Sequence, residues 1–217
     1  MRTTLILGAS GEIGSSVAKA FSVKDHTLIL VGRSSKKLEA VADVCESMGA
    51  KTIIVATKMQ NLIELDEIAV HLANRYGQLD TMISCLGKFD GLCPITHISQ
   101  EDFIESMHVN LHLNWKALQS FEVLLRKSGK GKAIFPIEEY FLKNLAYNSV
   151  YGIAKTSLAH MIEQFNIENT NDSISVKYML MPFSPTKLTR RIFPNANITY
   201  QSIEEAGRMI YQQAMME

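Results

Sequence analysis

Short apolar runs alternate with longer amphipathic stretches along the length of this sequence. Thr3–Leu7, His26–Gly32, Lys51–Ala56, Leu79–Cys85, Lys132–Ile137 and Ser173–Leu180 are each five to eight residues long. Short, mainly apolar runs of this kind fit the strands of a parallel sheet buried on both faces. Between them, Gly11–Ser22, Ser35–Met48, Asn61–Tyr76, Gln100–Lys127 and Asn148–Asn169 carry apolar side chains at helical spacing, and Ser202–Met215 adds a last such stretch. That spacing turns one face of a helix towards a core. The alternation predicts an α/β fold, a doubly wound parallel sheet of about six strands with helices on both faces. Ligands of such sheets bind beyond the carboxyl ends of the strands. One stretch follows neither pattern. Pro182–Tyr200 holds three prolines and little periodicity, so 182–200 reads as a loop, a candidate lid over the substrate.

At 217 residues the chain suits one domain, 1–217, with a substantial core. Charge narrows the function classes. Lys plus Arg total 22 and Asp plus Glu total 22, which gives no electrostatic case for nucleic acid or an anionic membrane. No apolar stretch approaches the ~18 residues of a membrane span, and the N-terminal one ends at a glycine turn instead of a cleavage site. Cys45, Cys85 and Cys93 are odd in number and form no Cys-x-x-Cys pair, which suits a reducing compartment, the cytoplasm.

Candidate chemistry gathers at the predicted strand ends. After the first strand, Gly8-Ala9-Ser10-Gly11-Glu12-Ile13-Gly14 leads straight into a stretch of helical period. Strand, glycine turn and helix in this order form the context that a dinucleotide-binding loop requires. Gly8 permits a tight turn, Gly11 lets backbone approach phosphates, and Gly14 lets helix and strand pack closely. The N–H groups of the helix start then face the anion, with Ser10 and Ile13 completing the cofactor-binding loop. The second strand ends in Gly32-Arg33-Ser34, and no Asp or Glu occurs from His26 to Leu38. An acidic residue there would bind an adenosine ribose, whereas Arg33 with Ser34 suits a 2′-phosphate, so NADP(H) is expected in preference to NAD(H). The same residues would also serve simply to solvate the next helix start. Far downstream, Tyr151 and Lys155 are four apart, one helical turn, so their tips can meet. A phenol titrates near pH ~10 and an adjacent ammonium lowers that value, giving a group that delivers and receives a proton at a carbonyl. Alone, the pair also fits a half-buried tyrosine beside a solvated lysine. Together with the glycine loop it points to hydride transfer to or from nicotinamide.

These features resemble the short-chain dehydrogenase/reductase family over nearly the whole chain. Besides the glycine loop and Tyr151-Gly152-Ile153-Ala154-Lys155, the segment from Gly77 to Gly87 is similar to the family's fourth strand and its Asn-Asn-Ala-Gly motif, of which only Gly87 is kept. Val109-Asn110-Leu111 is similar to the helix bearing the family's catalytic asparagine, and Met181-Pro182-Phe183 falls where the family has Pro-Gly beside the nicotinamide. The resemblance implies a Rossmann-type domain and a small carbonyl or alcohol substrate. It makes Tyr151 the general acid and Lys155 the residue that lowers its pKa and holds the nicotinamide ribose. Asn110 would stabilise a local helix distortion and a water that passes protons towards Lys155. Gly87 and Pro182 would lie at the cofactor, Thr186 would contact the carboxamide, and Phe89, Leu92 and Ile95 would form an apolar lip.

The departures carry as much information. The family's catalytic serine falls at Glu138, thirteen positions before Tyr151, and no Ser or Thr occurs from Gly131 through Asn148. Glu138 is therefore expected to border the substrate site and to reshape its acid–base chemistry or charge preference. Lys58 lies near where the family often has an aspartate facing adenine. The family's seventh strand is lacking, because the chain ends in an amphipathic helix, Ile203 to Met216. That absence, with the family's pairing of the helices that hold Asn110 and Tyr151, implies a homodimer. A second function stays open: a sensor or partner protein that keeps the nucleotide-binding fold without turnover. No metal is expected, since His108, His112 and Glu105 share a helix face but no ligand from a second element accompanies them.

Overall fold

The computed structural model describes residues 2–89, 91–143, 146–170, 173–192 and 201–216. The chain runs β1 (Arg2–Leu7), α1 (Glu12–Ala20), β2 (His26–Gly32), α2 (Ser35–Ser47), β3 (Lys51–Ala56), α3 (Ile63–Tyr76) and β4 (Thr81–Ser84). It continues through α4 (Gln100–Met107), a π turn (His108–His112), α5 (Leu113–Lys127), β5 (Gly131–Glu138), α6 (Ser149–Glu168), β6 (Ile174–Met181), α7 (Lys187–Ile192) and α8 (Ile203–Met215). All six strands are parallel, in the order β3-β2-β1-β4-β5-β6. The order reverses between β1 and β4, and a crevice opens at the carboxyl ends of strands at such a switch point.

Successive strand residues serve opposite layers, as the two-residue period of a strand requires. Leu5 and Leu7 of β1 pack with α3, α5 and α6, while Ile6 between them packs with α1, α2 and α8. Both faces are thus buried, which is why the runs are apolar without alternation. The α8 helix opens with a capping box, Ser202 with Glu205, and lies against α1. There Ser16 donates to the Ile203 carbonyl at 2.7 Å. A Cβ on Gly207 would stand 2.3 Å from the Ser16 hydroxyl, so this contact requires glycine. Among the described residues no helix is long and apolar enough to cross a membrane.

Three expectations are corrected. The fourth strand is shorter than Leu79–Cys85, because the Leu79 N–H bonds the Leu124 carbonyl at 3.0 Å and the Asp80 carboxylate turns back to Thr3. The stretch Gln100–Lys127 is two helices joined by the π turn. The segment 182–200 is not all loop, since Lys187–Ile192 forms α7, one short helix of six residues that leaves no periodic trace. Residues 193–200 of that candidate lid lie outside the described residues.

Candidate active site

The glycine loop follows β1 and meets the loop after β4. Gly8 adopts φ +78, and a Cβ there would stand 2.8 Å from the Cys85 carbonyl oxygen, so the turn and the close approach both call for glycine. A Cβ on Gly14 would come within 2.2 Å of the Gly8 carbonyl, which is how closely α1 sits on the turn. Gly11 is the N-cap of α1 and provides no side-chain cap, whereas Ser34, Ser99 and Ser202 cap α2, α4 and α8. The first turn of α1, residues 11–14, lines one end of a cleft. Uncapped N–H groups at a helix start are donors for an anion such as a pyrophosphate, so these residues fit that part of a dinucleotide.

The same cleft passes Cys85, Leu86 and Gly87 and ends among Glu138, Tyr151, Lys155 and Pro182, with Thr186 on its wall. Its volume of about 190 Å³ is below that of a whole dinucleotide site.

Around Gly87 the expected chemical groups converge. A Cβ placed on Gly87 would lie 3.6 Å from Asn110 Oδ1, 3.8 Å from Lys155 Nζ and 3.8 Å from Tyr151 Oη. Tyr151 and Lys155 come from one face of α6 and are 4% and 3% exposed. Asn110, fully buried, sits in the π turn. Its Oδ1 accepts from the Lys88 N–H at 3.0 Å, while its Nδ2 donates to the Lys88 carbonyl at 2.8 Å and the Ser106 carbonyl at 2.9 Å. The amide thus fastens the loop after β4 to the distorted helix. Asn114, one turn on, donates to the Asn110 carbonyl at 3.0 Å and accepts from the Ser84 hydroxyl at 2.6 Å.

Glu138 ends β5 and brings a carboxylate oxygen to 3.5 Å from the Tyr151 hydroxyl. That is long for an O–H···O hydrogen bond, so the effect is mainly electrostatic. Tyrosinate and carboxylate at this separation would repel by up to about 5 kcal/mol at an effective dielectric near 20, less the solvent screening of a half-buried glutamate. Burial first, and the Glu138 carboxylate second, hold the Tyr151 phenol well above its ordinary value. The expectation that Lys155 lowers it is therefore corrected for this arrangement. Lys155 Nζ donates to the Leu86 carbonyl at 3.1 Å and stands 5.6 Å from the centre of the Tyr151 ring. Burial lowers the Lys155 pKa, while Glu138 and Cys85 raise it in part. Burial also pushes the Cys85 thiol up to about 12, which keeps it protonated and unsuited to nucleophilic work.

Tyr151 is flanked by aromatic rings. Phe89 meets it edge-on at 5.4 Å, and Tyr140 and Phe183, 4.8 Å apart, complete the cluster. Of the expected apolar lip only Phe89 is buried; Leu92 and Ile95 are exposed.

Other predicted residues lie off the cleft wall. Ser10 packs against Gly32, where a Cβ would come within 2.7 Å of its hydroxyl. Arg33 is exposed at the end of β2, and Ser34 accepts from the Lys37 N–H at 3.4 Å as the cap of α2. The histidine face has other partners: Glu105 pairs with Lys88 at 2.5 Å, and His112 stacks on Trp115. Among the described residues no cluster of three His, Cys, Asp or Glu is placed to hold a metal. Sequence reasoning missed Asn114, the Leu86 carbonyl and Glu12, whose carboxylate accepts from the Lys187 N–H at 2.7 Å and ties α7 to the glycine loop. Only Glu12 carried a signal, a charge inside the glycine motif.

Strand order and the crevice at its reversal put the protein among the doubly wound, Rossmann-like folds. The sequence matches the profile described as short chain dehydrogenase across residues 2–197, and the chain belongs to that family. Sepiapterin reductase of Chlorobaculum tepidum is 24% identical over 172 residues, covering 75% of this chain and 69% of that protein. A short-chain dehydrogenase structure from Pseudomonas syringae gives a TM-score of 0.91 at 21% identity, over 98% of this chain and 88% of the other. The alcohol dehydrogenase of Thermococcus sibiricus, complexed with 5-hydroxy-NADP, gives 0.85 at 22% identity, over 100% of this chain and 92% of the other.

Proposed function

We propose that the protein is an NADP(H)-dependent oxidoreductase that moves a hydride between nicotinamide and a carbonyl or alcohol substrate. The observation that carries this reading is the meeting of Tyr151, Lys155 and Asn110 around Gly87, at the far end of a cleft that begins at an uncapped helix start. A nicotinamide bound in that cleft supplies or accepts the hydride. Gly8, Ser10, Gly11, Ile13 and Gly14 shape the loop that binds the pyrophosphate, Pro182 borders the nicotinamide, and Lys155 holds the ribose hydroxyls. Arg33, exposed beyond β2, pairs with the 2′-phosphate, with Ser34 beside it. The 5-hydroxy-NADP of the Thermococcus sibiricus enzyme supports this choice of nucleotide. Tyr151 donates a proton to the substrate oxygen during reduction and takes it back in the reverse direction, and Asn110 keeps the floor of the site in place through Lys88. The working unit is one domain, a cytoplasmic homodimer, with the segment 182–200 as its substrate lid.

Glu138 supports a second reading, a nucleotide-binding sensor with little turnover, because its carboxylate opposes ionisation of Tyr151. Titration with NADPH and NADH, alongside a screen of ketones, aldehydes and quinones, separates the two. Tighter NADPH binding that Arg33→Ser abolishes, together with reduction of a carbonyl, supports the enzyme. Binding without reduction of any compound supports the sensor.

A further inference from the structure

The reacting end of the cleft carries, besides its cation, a carboxylate for which a carbonyl reductase has no need. Reduction of a C=O group gathers negative charge on oxygen, and a site built for it aims donors and positive charge there. Here a carboxylate oxygen of Glu138 lies 3.5 Å from the Tyr151 hydroxyl, the group that would touch the substrate heteroatom. The cation of the cleft, Lys155, is directed at the Leu86 carbonyl on its floor, 3.1 Å away. The remaining carboxylate on the wall, Glu12, belongs to the opposite end and faces α7. Tyr151, which Glu138 approaches, packs in turn against Phe89, with Tyr140 and Phe183 in the same cluster. A carboxylate at the reacting end of a cleft attracts an organic cation by direct charge.

We infer that this site prefers a protonated C=N group, an iminium, over a C=O group, with Glu138 as the residue that determines the choice. The inference rests on the hydride-transfer reading above and refines the bond that is reduced. The iminium carbon accepts a hydride, its new C–H bond forming as the C4–H bond of the reduced nicotinamide breaks. The C=N π pair moves onto nitrogen, the substrate becomes a neutral amine, and the nicotinamide is left oxidised. No proton need reach the nitrogen during the step, so a Tyr151 phenol that stays neutral is no handicap. Glu138 stabilises the cation before the step and, once the amine nitrogen has taken a proton from water, the ammonium that results.

The test compares molecules of equal shape. Wild-type enzyme with NADPH should reduce methylpyrroline about tenfold or more efficiently, in kcat/KM, than methylcyclopentanone, and Glu138→Ser should reverse that order. Binding gives a readout independent of turnover: in NMR titrations of the protein without nucleotide, protonated methylpyrrolidine should bind about tenfold tighter than methylcyclopentanol, and Glu138→Gln should erase the difference. If Glu138→Ser does not fold, the wild-type amine and alcohol titrations still decide. Equal binding of the two, or a wild-type preference for the ketone, overturns the inference. Ketone reduction without preference for the imine overturns it alone and leaves the hydride-transfer reading standing, whereas reduction of neither compound, nor of any in the wider carbonyl screen, removes both.

Discussion

At Tyr151, burial and a neighbouring carboxylate act in the same direction and favour the neutral phenol. The consequence for stability has a definite sign. The folded pKa lies above the unfolded value of ~10, so the contribution is present below that pH and is lost as pH rises through the folded value. Wild-type protein should therefore lose stability relative to Tyr151→Phe between about pH 8 and pH 10.5, measured by urea unfolding. Lys155 titrates in both proteins, so its opposite shift cancels in the comparison. Equal losses would contradict the buried phenol. On activity, Tyr151→Phe should lower reduction of a carbonyl by about a hundred- to ten-thousand-fold with NADPH affinity unchanged, in steady-state kinetics beside a binding titration. A variant of near wild-type rate would remove Tyr151 as proton donor. The spacing of Tyr151 and Lys155 was legible because one helical turn fixes which tips can meet. The direction of the phenol's shift was not, since it depends on a 3.5 Å approach from β5, thirteen residues away in the chain.

Elements were legible where their patterns are long. Helices α2, α3 and α6 and strands β2 and β3 appear within a residue or two of the boundaries read from apolar spacing. The π turn was not, because the apolar positions of α4 and α5 continue through it without a break. Its cause is polar: Asn110 and Asn114 take up backbone groups, and Asn110 spends its amide on both sides of Lys88. Family resemblance supplied the distortion, but nothing in the sequence named Lys88 as its partner. Asn110→Ala would leave part-buried Lys88 backbone groups and the buried Ser106 carbonyl without this partner, at a cost of about 2–3 kcal/mol in denaturant unfolding. A loss under about 0.5 kcal/mol would show that the amide does not hold the loop. The short α7 escaped notice for a different reason, since six residues give too few turns for a period to register.

On the scale of the whole molecule, the alternation of runs predicted layers, and belonging to the family explains the strand order that periodicity alone leaves undetermined. The proposed homodimer calls for an apolar face that a second copy would cover. Phe103 and Ile104 of α4 and Trp115 of α5 are 43%, 57% and 41% exposed beside Met161 of α6, an apolar groove on the helices that carry Asn110 and Tyr151. Light scattering should give twice the chain mass, and Trp115→Glu should give a monomer. A wild-type monomer, or a tetramer, would contradict that arrangement. The central claim, that hydride passes between a nicotinamide and a substrate carbon beside Tyr151, is tested most directly by isotope. NADPH carrying deuterium at one face of C4 is mixed with enzyme and a reducible substrate, and the product is weighed by mass spectrometry. The account predicts deuterium on the product carbon from one of the two faces only. Nucleotide binding with no deuterium in any product from either face would contradict it.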